Sequence, residues 1–371
     1  MKKIFALLFT TFMVFSLQVP LSALDVSAQS AVLIEAQTGK ILFAKNENEK
    51  RPMASTTKIM TTLLTIESGN LDEPFVVDAT AIKVEGSSMG LKEGDVVTKR
   101  ALCIGMLLPS GNDAANAAAI KLSGSYEAFA AKMNARAEKI GMLNTNFVTP
   151  SGLEGIGHLS TAYDMALLAR EAMKNADFRA ICSQKNAKLS FGNPPFDRWL
   201  KNSNKLLDMY SGCIGIKTGF TDEAGRCLVS AAERSGVTLI CVTLKAPNDW
   251  NDHKTMLDYG FSQVSNTPLQ IPDSIKKIDV VGGISDTLPI SIQEHPFAGL
   301  SNADIDKVSL KIILPRFIYA PIEKNEKIGE LQYFFEEKLF LTVPIKADLS
   351  VDMLVLEQKG TIFDRIKNFF K

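Results

Sequence analysis

The chain has 371 residues, 46% of them hydrophobic, and a formal net charge of +0 at neutral pH. This length suffices for two domains, and the balanced charge gives no reason to expect nucleic acid as a partner. The five cysteines and three histidines show no C-x-x-C pair and no spacing typical of a metal site. We therefore expect no metal. We expect the five cysteines to be buried free thiols, with a single disulfide among them as the alternative; they are Cys103, Cys182, Cys213, Cys227 and Cys241.

The N-terminus has the pattern of an export signal. Two lysines precede a nearly unbroken apolar run from Ile4 to Leu17, and two small-residue cleavage patterns follow, ending at Ala23 and Ala28. The run is shorter than the roughly 20 residues that a membrane-spanning helix needs. We predict a cleaved signal peptide over residues 1–28 and export of the chain, with an uncleaved membrane helix as the alternative.

Residues 29–263 are predicted to form an α/β (α+β) domain. Strands are expected over Ser30 to Ala36, Ile41 to Lys45, Cys213 to Gly219, Arg226 to Ala232 and Val237 to Lys245. Helices are expected over Ser55 to Gly69, Lys99 to Leu108, Ser125 to Ile140, Ala162 to Asn175 and Asp252 to Tyr259. Because strands lie at both ends of this segment, we predict a mixed sheet with a helical cluster inserted between its halves.

Residues 264–356 have a different character. Short β-prone runs occur at Ile278 to Val281, Leu288 to Ile292, Val308 to Leu314 and Leu339 to Val343, with no convincing long helix. This pattern predicts a small all-β domain.

The last residues, 357–371, have the pattern of an amphipathic helix. Apolar residues recur at helical spacing, and basic residues occupy other faces; the apolar residues are Ile362, Phe363, Ile366, Phe369 and Phe370. A helix of about a dozen residues is about 18 Å long, too short for a hydrocarbon core of about 30 Å. We predict that it lies in the membrane interface near anionic headgroups; a helix packed on the β domain is the alternative.

Three short motifs carry residues suited to covalent catalysis, and the first is Ser55-Thr56-Thr57-Lys58. A serine hydroxyl is a poor nucleophile unless a nearby base takes its proton. Lys58 follows Ser55 by three residues, so on a helix both side chains share one face, and the helix start favours developing negative charge. A lysine acts as a base only if its pKa lies well below about 10.4, and burial beside a second cation, Lys217, would lower it.

The second and third motifs are Ser110-Gly111-Asn112 and Lys217-Thr218-Gly219. The Ser110 hydroxyl could relay a proton between Lys58 and a leaving amine, and the Asn112 amide could hold a substrate peptide group. At the end of a strand, Gly219 would let a substrate backbone lie alongside. The cation of Lys217 and the hydroxyl of Thr218 suit a substrate with a free terminal carboxylate.

Each motif is weak evidence by itself, because the chain contains imitations of two of them. Ser68-Gly69-Asn70 repeats the second motif and is predicted to be a helix stop. Ser274 and Lys277 repeat the first and are predicted to lie at a turn of the β domain. The ordered trio of helix start, mid-chain loop and late strand is far more specific, and it is found in penicillin-binding proteins and serine β-lactamases.

With this trio, the chain resembles the D-Ala-D-Ala carboxypeptidase family of low-molecular-weight penicillin-binding proteins. The likeness covers nearly the whole chain and includes Gly86 to Met89, Leu91 to Asp95, Ser110 to Ala115, Gly141 to Phe147, Ser160 to Ala166 and Asn202 to Leu207. It implies a β-lactamase/DD-peptidase-like catalytic domain followed by a β-rich C-terminal domain.

The resemblance also implies a reaction. Ser55 would be the acylated nucleophile and Lys58 the proton acceptor, with Ser110 and Asn112 as the second element and Lys217, Thr218 and Gly219 as the substrate-binding strand. The enzyme would remove the terminal D-alanine from peptidoglycan peptide stems without a cofactor, at the outer face of the cytoplasmic membrane or in the cell wall. β-Lactams would acylate Ser55. Two departures, Phe220 and Ser151 where relatives carry His, bear on substrate preference and rate.

Two rival functions use the same motifs. A β-lactamase needs an efficient deacylating base, and Glu154 lies in a suitable stretch, but its sequence context and the extra β domain argue against that function. A catalytically idle wall-binding protein would not need the intact trio. Labelling with penicillin followed by analysis of the products would separate the three.

Overall fold

The structure, a computed structural model, describes residues 24–355. Most of the predicted signal peptide (residues 1–23) and the predicted membrane-binding helix (357–371) lie outside these residues. Between residues 24 and 355, no helix is long and apolar enough to cross a membrane.

The first domain contains eight α-helices and nine strands within the described residues. In chain order they are β1 (Ser30–Glu35), β2 (Ile41–Lys45), a 3-10 turn (Ala54–Thr57), α1 (Lys58–Glu67), β3 (Pro74–Val76), β4 (Val96–Thr98), α2 (Lys99–Leu107), α3 (Asn112–Ser123), α4 (Tyr126–Ile140), α5 (Ala162–Met173), α6 (Ala176–Cys182), β5 (Asn186–Gly192), β6 (Pro195–Lys201), α7 (Leu206–Met209), β7 (Cys213–Thr221), β8 (Gly225–Arg234), β9 (Val237–Leu244) and α8 (Asp249–Gln263).

Five of these strands form one sheet in the order β2-β1-β9-β8-β7. Strands from both ends of the domain build the sheet, and helices α1 to α7 lie between these strands in sequence. The predicted architecture is therefore confirmed. One detail differs, because every neighbouring pair is antiparallel and the sheet is not mixed. The reason is that β7, β8 and β9 follow one another through short turns, which can join only antiparallel strands.

The helical cluster is centred on α1, which packs against α2, α3 and α5. Eight of its ten residues are buried, as expected for a helix surrounded on most sides. The predicted limits of α4 are confirmed: the Ser125 hydroxyl accepts a hydrogen bond from the Ala128 N–H, and Gly141 ends the helix with φ of 91°.

The second domain is all-β, as predicted, with a single 3-10 helix (Asn302–Lys307) among its described residues. Its strands are β10 (Ser265–Pro268), β11 (Lys277–Val281), β12 (Thr287–Ser291), β13 (Phe297–Leu300), β14 (Val308–Ile313), β15 (Phe317–Tyr319), β16 (Lys327–Phe335) and β17 (Lys338–Ala347). Six form a sheet in the order β14-β16-β17-β12-β11-β15, in which β11 and β15 are parallel. Lys40 of the first domain forms an ion pair with Asp304 of the second.

All five cysteines are free thiols, so the disulfide that the sequence left open is not formed. Four are buried, as expected, and Cys213 is half-buried. Burial raises the pKa of the Cys227 thiol to about 11, which leaves it protonated and unreactive at neutral pH.

Candidate active site

Ser55 lies on the 3-10 turn that leads directly into α1. The sequence predicted Ser55 at the start of the α-helix, whereas α1 begins at Lys58. The residue before the serine, Ala54, has φ of 47°, a left-handed conformation that non-glycine residues rarely adopt. Such local strain, about 1–3 kcal/mol, persists only where the surrounding structure enforces it, and it clusters at functional sites.

Lys58 points back to the serine, with 2.9 Å between its Nζ and Ser55 Oγ. The same nitrogen is 2.6 Å from Asn112 Oδ1 and 2.6 Å from the Ser151 carbonyl oxygen. A neutral amine has two N–H donors and one lone pair. The amide oxygen and the carbonyl oxygen can only accept, so they take the two N–H groups, and the lone pair faces the serine O–H.

The protonation state of Lys58 fits this arrangement. Its side chain is fully buried, and this desolvation, together with the charge of Lys217, lowers its pKa well below the ordinary value; Asp113 opposes the shift. Lys217, the residue predicted to be the second cation, is thus one cause of the shift. The site holds a lysine amine that can accept the proton of Ser55.

The second motif lies between α2 and α3. Ser110 adopts φ of 69°, and Asn112 is the first residue of α3. Both polar groups of the Asn112 amide are occupied, because Oδ1 accepts from Lys58 and Nδ2 donates to the Glu85 carbonyl at 2.7 Å. In this structure Asn112 therefore orients Lys58.

The third motif is on β7, an edge strand of the sheet. Lys217 is buried, and its Nζ lies 2.9 Å from Ser110 Oγ and 2.7 Å from the Thr218 carbonyl. Burial lowers its pKa to about 7. The Thr218 hydroxyl is 2.7 Å from Ser203 Oγ. In the structure, Ser110 is therefore hydrogen-bonded to Lys217, and Lys58 is hydrogen-bonded to Ser55.

Gly219 allows close packing of β7 against the turn that carries Ser55. A Cβ at this position would lie 3.1 Å from the backbone nitrogens of Ser55 and Thr56. The sequence predicted that this glycine makes room for a substrate backbone. In the structure it also lets β7 approach the turn that carries Ser55.

The three motifs line one cleft of about 340 Å³. The motif residues in its lining are Ser55, Ser110, Thr218 and Gly219, and the rest of the wall includes Ser87, Ser203, Lys205, Phe220, Arg226, Asp249 and Trp250. Phe220 is well exposed there. Because Lys217 is buried, Lys205 and Arg226 are the more accessible cations of this wall, and Arg226 donates to the Asp249 carboxylate at 2.8 Å.

The imitations of the motifs lie elsewhere, as predicted. Ser68 caps the end of α1, and its hydroxyl donates to the Thr65 carbonyl. Ser274 is exposed on a turn of the second domain. Glu154 lines a neighbouring cavity of about 430 Å³, and its carboxylate accepts from the Glu223 N–H at 3.3 Å.

Two supporting groups were not predicted. The Ser151 carbonyl binds Lys58, and the Asp113 carboxylate accepts hydrogen bonds from the backbone N–H groups of Met89, Gly90 and Leu91. The hydrogen bonds to Asp113 fix the loop that carries Ser87, a residue of the cleft wall. Asp113 could have been inferred from its position in the Ser110 to Ala115 run, whereas a carbonyl has no sequence signature. Within residues 24–355 no three His, Cys, Asp or Glu residues are grouped as a metal site.

Comparison with known proteins shows which families the chain resembles. Residues 16–248 match the family model described as D-alanyl-D-alanine carboxypeptidase, and residues 265–353 match that of the penicillin-binding protein 5 C-terminal domain. The chain is 35% identical to the D-alanyl-D-alanine carboxypeptidase DacF of Bacillus subtilis, over 88% of this chain and 86% of the relative.

Solved structures show the same likeness. The D-alanyl-D-alanine carboxypeptidase DacD of Francisella tularensis superimposes with a TM-score of 0.63 at 27% identity, covering 90% of this chain and 95% of the other. The DD-transpeptidase of Streptomyces K15 gives a TM-score of 0.61 at 33% identity, covering 64% of this chain and 98% of the other.

Proposed function

The chain belongs to the D-alanyl-D-alanine carboxypeptidase family of low-molecular-weight penicillin-binding proteins, and on that premise we propose that it works through an acyl-enzyme on Ser55. Ser55 attacks the carbonyl between the two terminal D-alanines of a peptidoglycan stem, and Lys58 takes its proton. The terminal D-alanine leaves, and water then hydrolyses the ester. The bond to D-alanine is broken and one water is consumed, so the reaction needs no cofactor.

The observation that carries this proposal is the environment of the Lys58 amine. Its two N–H groups have fixed acceptors in Asn112 and Ser151, which leaves the lone pair for the hydroxyl of Ser55 at 2.9 Å. General-base assistance of this kind typically contributes about 10²–10⁴-fold in rate.

The remaining groups of the cleft suit the other requirements of the reaction. We propose that the Ser55 backbone N–H stabilises the oxyanion. We also propose that the Ser110 hydroxyl, held by Lys217, relays to the leaving amine the proton that Lys58 took from Ser55. The Thr218 hydroxyl and the cations of the cleft wall would bind the terminal carboxylate. A β-lactam carries an equivalent carboxylate and carbonyl, so it would acylate the same serine.

The test is mass spectrometry of a pentapeptide ending in D-Ala-D-Ala after incubation with the purified protein. We expect the loss of one alanine, and with penicillin a lasting adduct on the protein. Rapid release of opened penicillin would instead indicate a β-lactamase. A protein that neither cleaves the peptide nor binds penicillin would be an idle scaffold, and the proposal would be wrong.

We further propose that export is followed by cleavage after Ala23. Residues Val26 and Ala28 are buried in the first domain, and the N–H groups of Ser27 and Ala28 and the Ser27 hydroxyl all donate to the buried Asp252 carboxylate. Cleavage after Ala28 would remove three hydrogen bonds to a charged group, each worth about 1.5–3 kcal/mol. The domain would then begin near residue 24 instead of 29.

The expected result is that N-terminal sequencing of the exported protein begins at Leu24. A mature chain beginning at Gln29 would contradict the assignment. An uncleaved chain would restore the alternative of a membrane helix at the N-terminus.

We also propose that the C-terminal segment 357–371 holds the enzyme on an anionic membrane surface. The last described residues, just before this segment, support the proposal. Met353, Leu354 and Val355 are exposed apolar residues, and the Leu354 N–H donates to the Gly282 carbonyl at the end of β11. These exposed apolar residues lie just before the predicted amphipathic helix in the sequence, as expected for a chain end that approaches a membrane surface.

Deletion of residues 359–371 is expected to move the protein from the membrane fraction to the soluble fraction without loss of peptidase activity. The catalytic cleft lies in the other domain, so the reaction itself does not depend on this segment. As a matched variant, Lys367→Gln with Lys371→Gln keeps the apolar residues and should weaken binding mainly to anionic vesicles. A truncated enzyme that is active and still pellets with membranes would show that the anchor lies elsewhere.

A further inference from the structure

A buried histidine outside the three motifs connects the two segments that determine the position of the lysine base. His158 is only 5% exposed, and it lies at the end of the loop 148–158 that also carries the Ser151 carbonyl. Its Nε2 is 2.8 Å from the Thr57 hydroxyl, and its Nδ1 is 2.9 Å from the Val148 backbone nitrogen. Thr57 is the residue immediately before Lys58.

The partners of the ring determine its protonation. A backbone N–H can only donate, so Nδ1 carries no proton and accepts the Val148 hydrogen bond. In a neutral ring the proton is then on Nε2, which donates to Thr57 Oγ1. Burial lowers the pKa of His158 to about 4, so the ring is neutral at neutral pH.

The loop held by this ring packs directly on the nucleophile segment. The Pro150 carbonyl accepts from the Thr61 hydroxyl of α1 at 2.6 Å, and the Ser151 carbonyl accepts from Lys58. Gly152 has φ of 82°, and a Cβ there would lie 2.0 Å from the Ala54 carbonyl oxygen. The chain of bonds from Thr57 through His158 and Val148 to Ser151 thus returns to Lys58.

We propose that His158 is a positioning residue for acylation, which holds the Ser151 carbonyl against Lys58 so that the lysine lone pair faces Ser55. It does not touch the reacting atoms. The inference rests on the proposed acylation of Ser55 and adds a residue that acts through Lys58. Without the ring, the loop would lose its link to Thr57 and the acceptor for Val148, and the Lys58 amine could turn away from the serine.

The test compares His158→Asn with His253→Asn in the full exported chain. His253 is an equally buried neutral histidine, bonded to Ser230 Oγ at 2.6 Å and Thr243 Oγ1 at 2.9 Å, in the sheet-facing helix α8. Both variants should lose stability, and thermal unfolding measures that loss. Only His158→Asn should lower the rate constant of Ser55 acylation by penicillin, by about tenfold or more.

The pH profile of acylation separates positioning from loss of stability. Because burial is the largest cause of the lowered pKa of Lys58, a loosened loop that admits water should move the acid limb of the profile to higher pH in His158→Asn. The charged groups acting on Lys58, Lys217 and Asp113, are unchanged in both variants. His253→Asn should keep the limb of the unmodified protein.

A double-mutant cycle with Thr57→Val checks the path. If His158 acts through Thr57, the double variant should be acylated no more slowly than the slower of the two single variants. A normal acylation rate and an unshifted acid limb in His158→Asn, or effects equal to those of His253→Asn, would overturn the inference. If the unmodified protein is not acylated at all, the proposed function fails first, and that outcome is distinct.

Discussion

Replacing Ser55 by alanine is expected to abolish covalent labelling by penicillin and to lower peptidase turnover by about 10⁶-fold, the loss found when a serine nucleophile is removed from a protease. Among the described serines that begin a Ser-x-x-Lys spacing, Ser55 has the lysine nitrogen 2.9 Å from its hydroxyl. The fold should survive, because the turn is held by backbone bonds such as that from the Thr56 N–H to the Met53 carbonyl. Labelled penicillin followed by gel analysis and intact mass measures the effect.

The controls are supplied by the chain's own imitations of the motifs. Ser68→Ala and Ser274→Ala remove hydroxyls from a helix end and an exposed turn, so both variants should label like the unmodified protein. Labelling that persists in Ser55→Ala and disappears in one of these variants would move the nucleophile to that serine. Unchanged thermal unfolding of Ser55→Ala would show that lost labelling is chemical in origin.

The parts of the fold that the sequence predicted are those with a local signal. β1, β2 and the run β7 to β9 are apolar segments bounded by turn residues, and α4 has both of its caps. The helix α3 was not predicted, because it is rich in alanine and buried along most of its length, so it shows no apolar stripe. The antiparallel pairing of β1 with β9 depends on contacts more than 200 residues apart in sequence.

The same distinction applies to the site. The sequence predicted the motif residues from their types and spacing. The structure brings these residues close together: Ser55, Lys58, Ser110, Asn112, Lys217, Thr218 and Gly219. The sequence did not reveal which of these groups hydrogen-bond to one another. The Ser151 carbonyl reaches Lys58 through the path of a loop, and His158 belongs to no motif, so both required coordinates.

Replacing Lys58 by arginine is expected to lower the acylation rate by about 10³-fold or more although the positive charge is kept. Arginine stays protonated at any working pH and has no lone pair to accept the proton of Ser55. The second variant, Lys58→Met, removes both charge and base and relieves the repulsion with Lys217. Both variants should lose acylation, because both lack the base, although only Lys58→Arg keeps the positive charge. Stopped-flow acylation by penicillin, with thermal unfolding to check the fold, measures this.

The pH dependence of acylation in the unmodified protein is a second test of Lys58 as the base. Only the neutral amine can act as the base, so acylation should rise with increasing pH as Lys58 loses its proton. Burial and the charge of Lys217 lower the pKa of Lys58 well below its ordinary value of 10.5, so this rise should occur well below pH 10.5. Near-normal acylation in Lys58→Arg would mean that another group accepts the proton. Lys217, with a pKa of about 7 and its nitrogen 2.9 Å from Ser110 Oγ, would then be the first residue to replace.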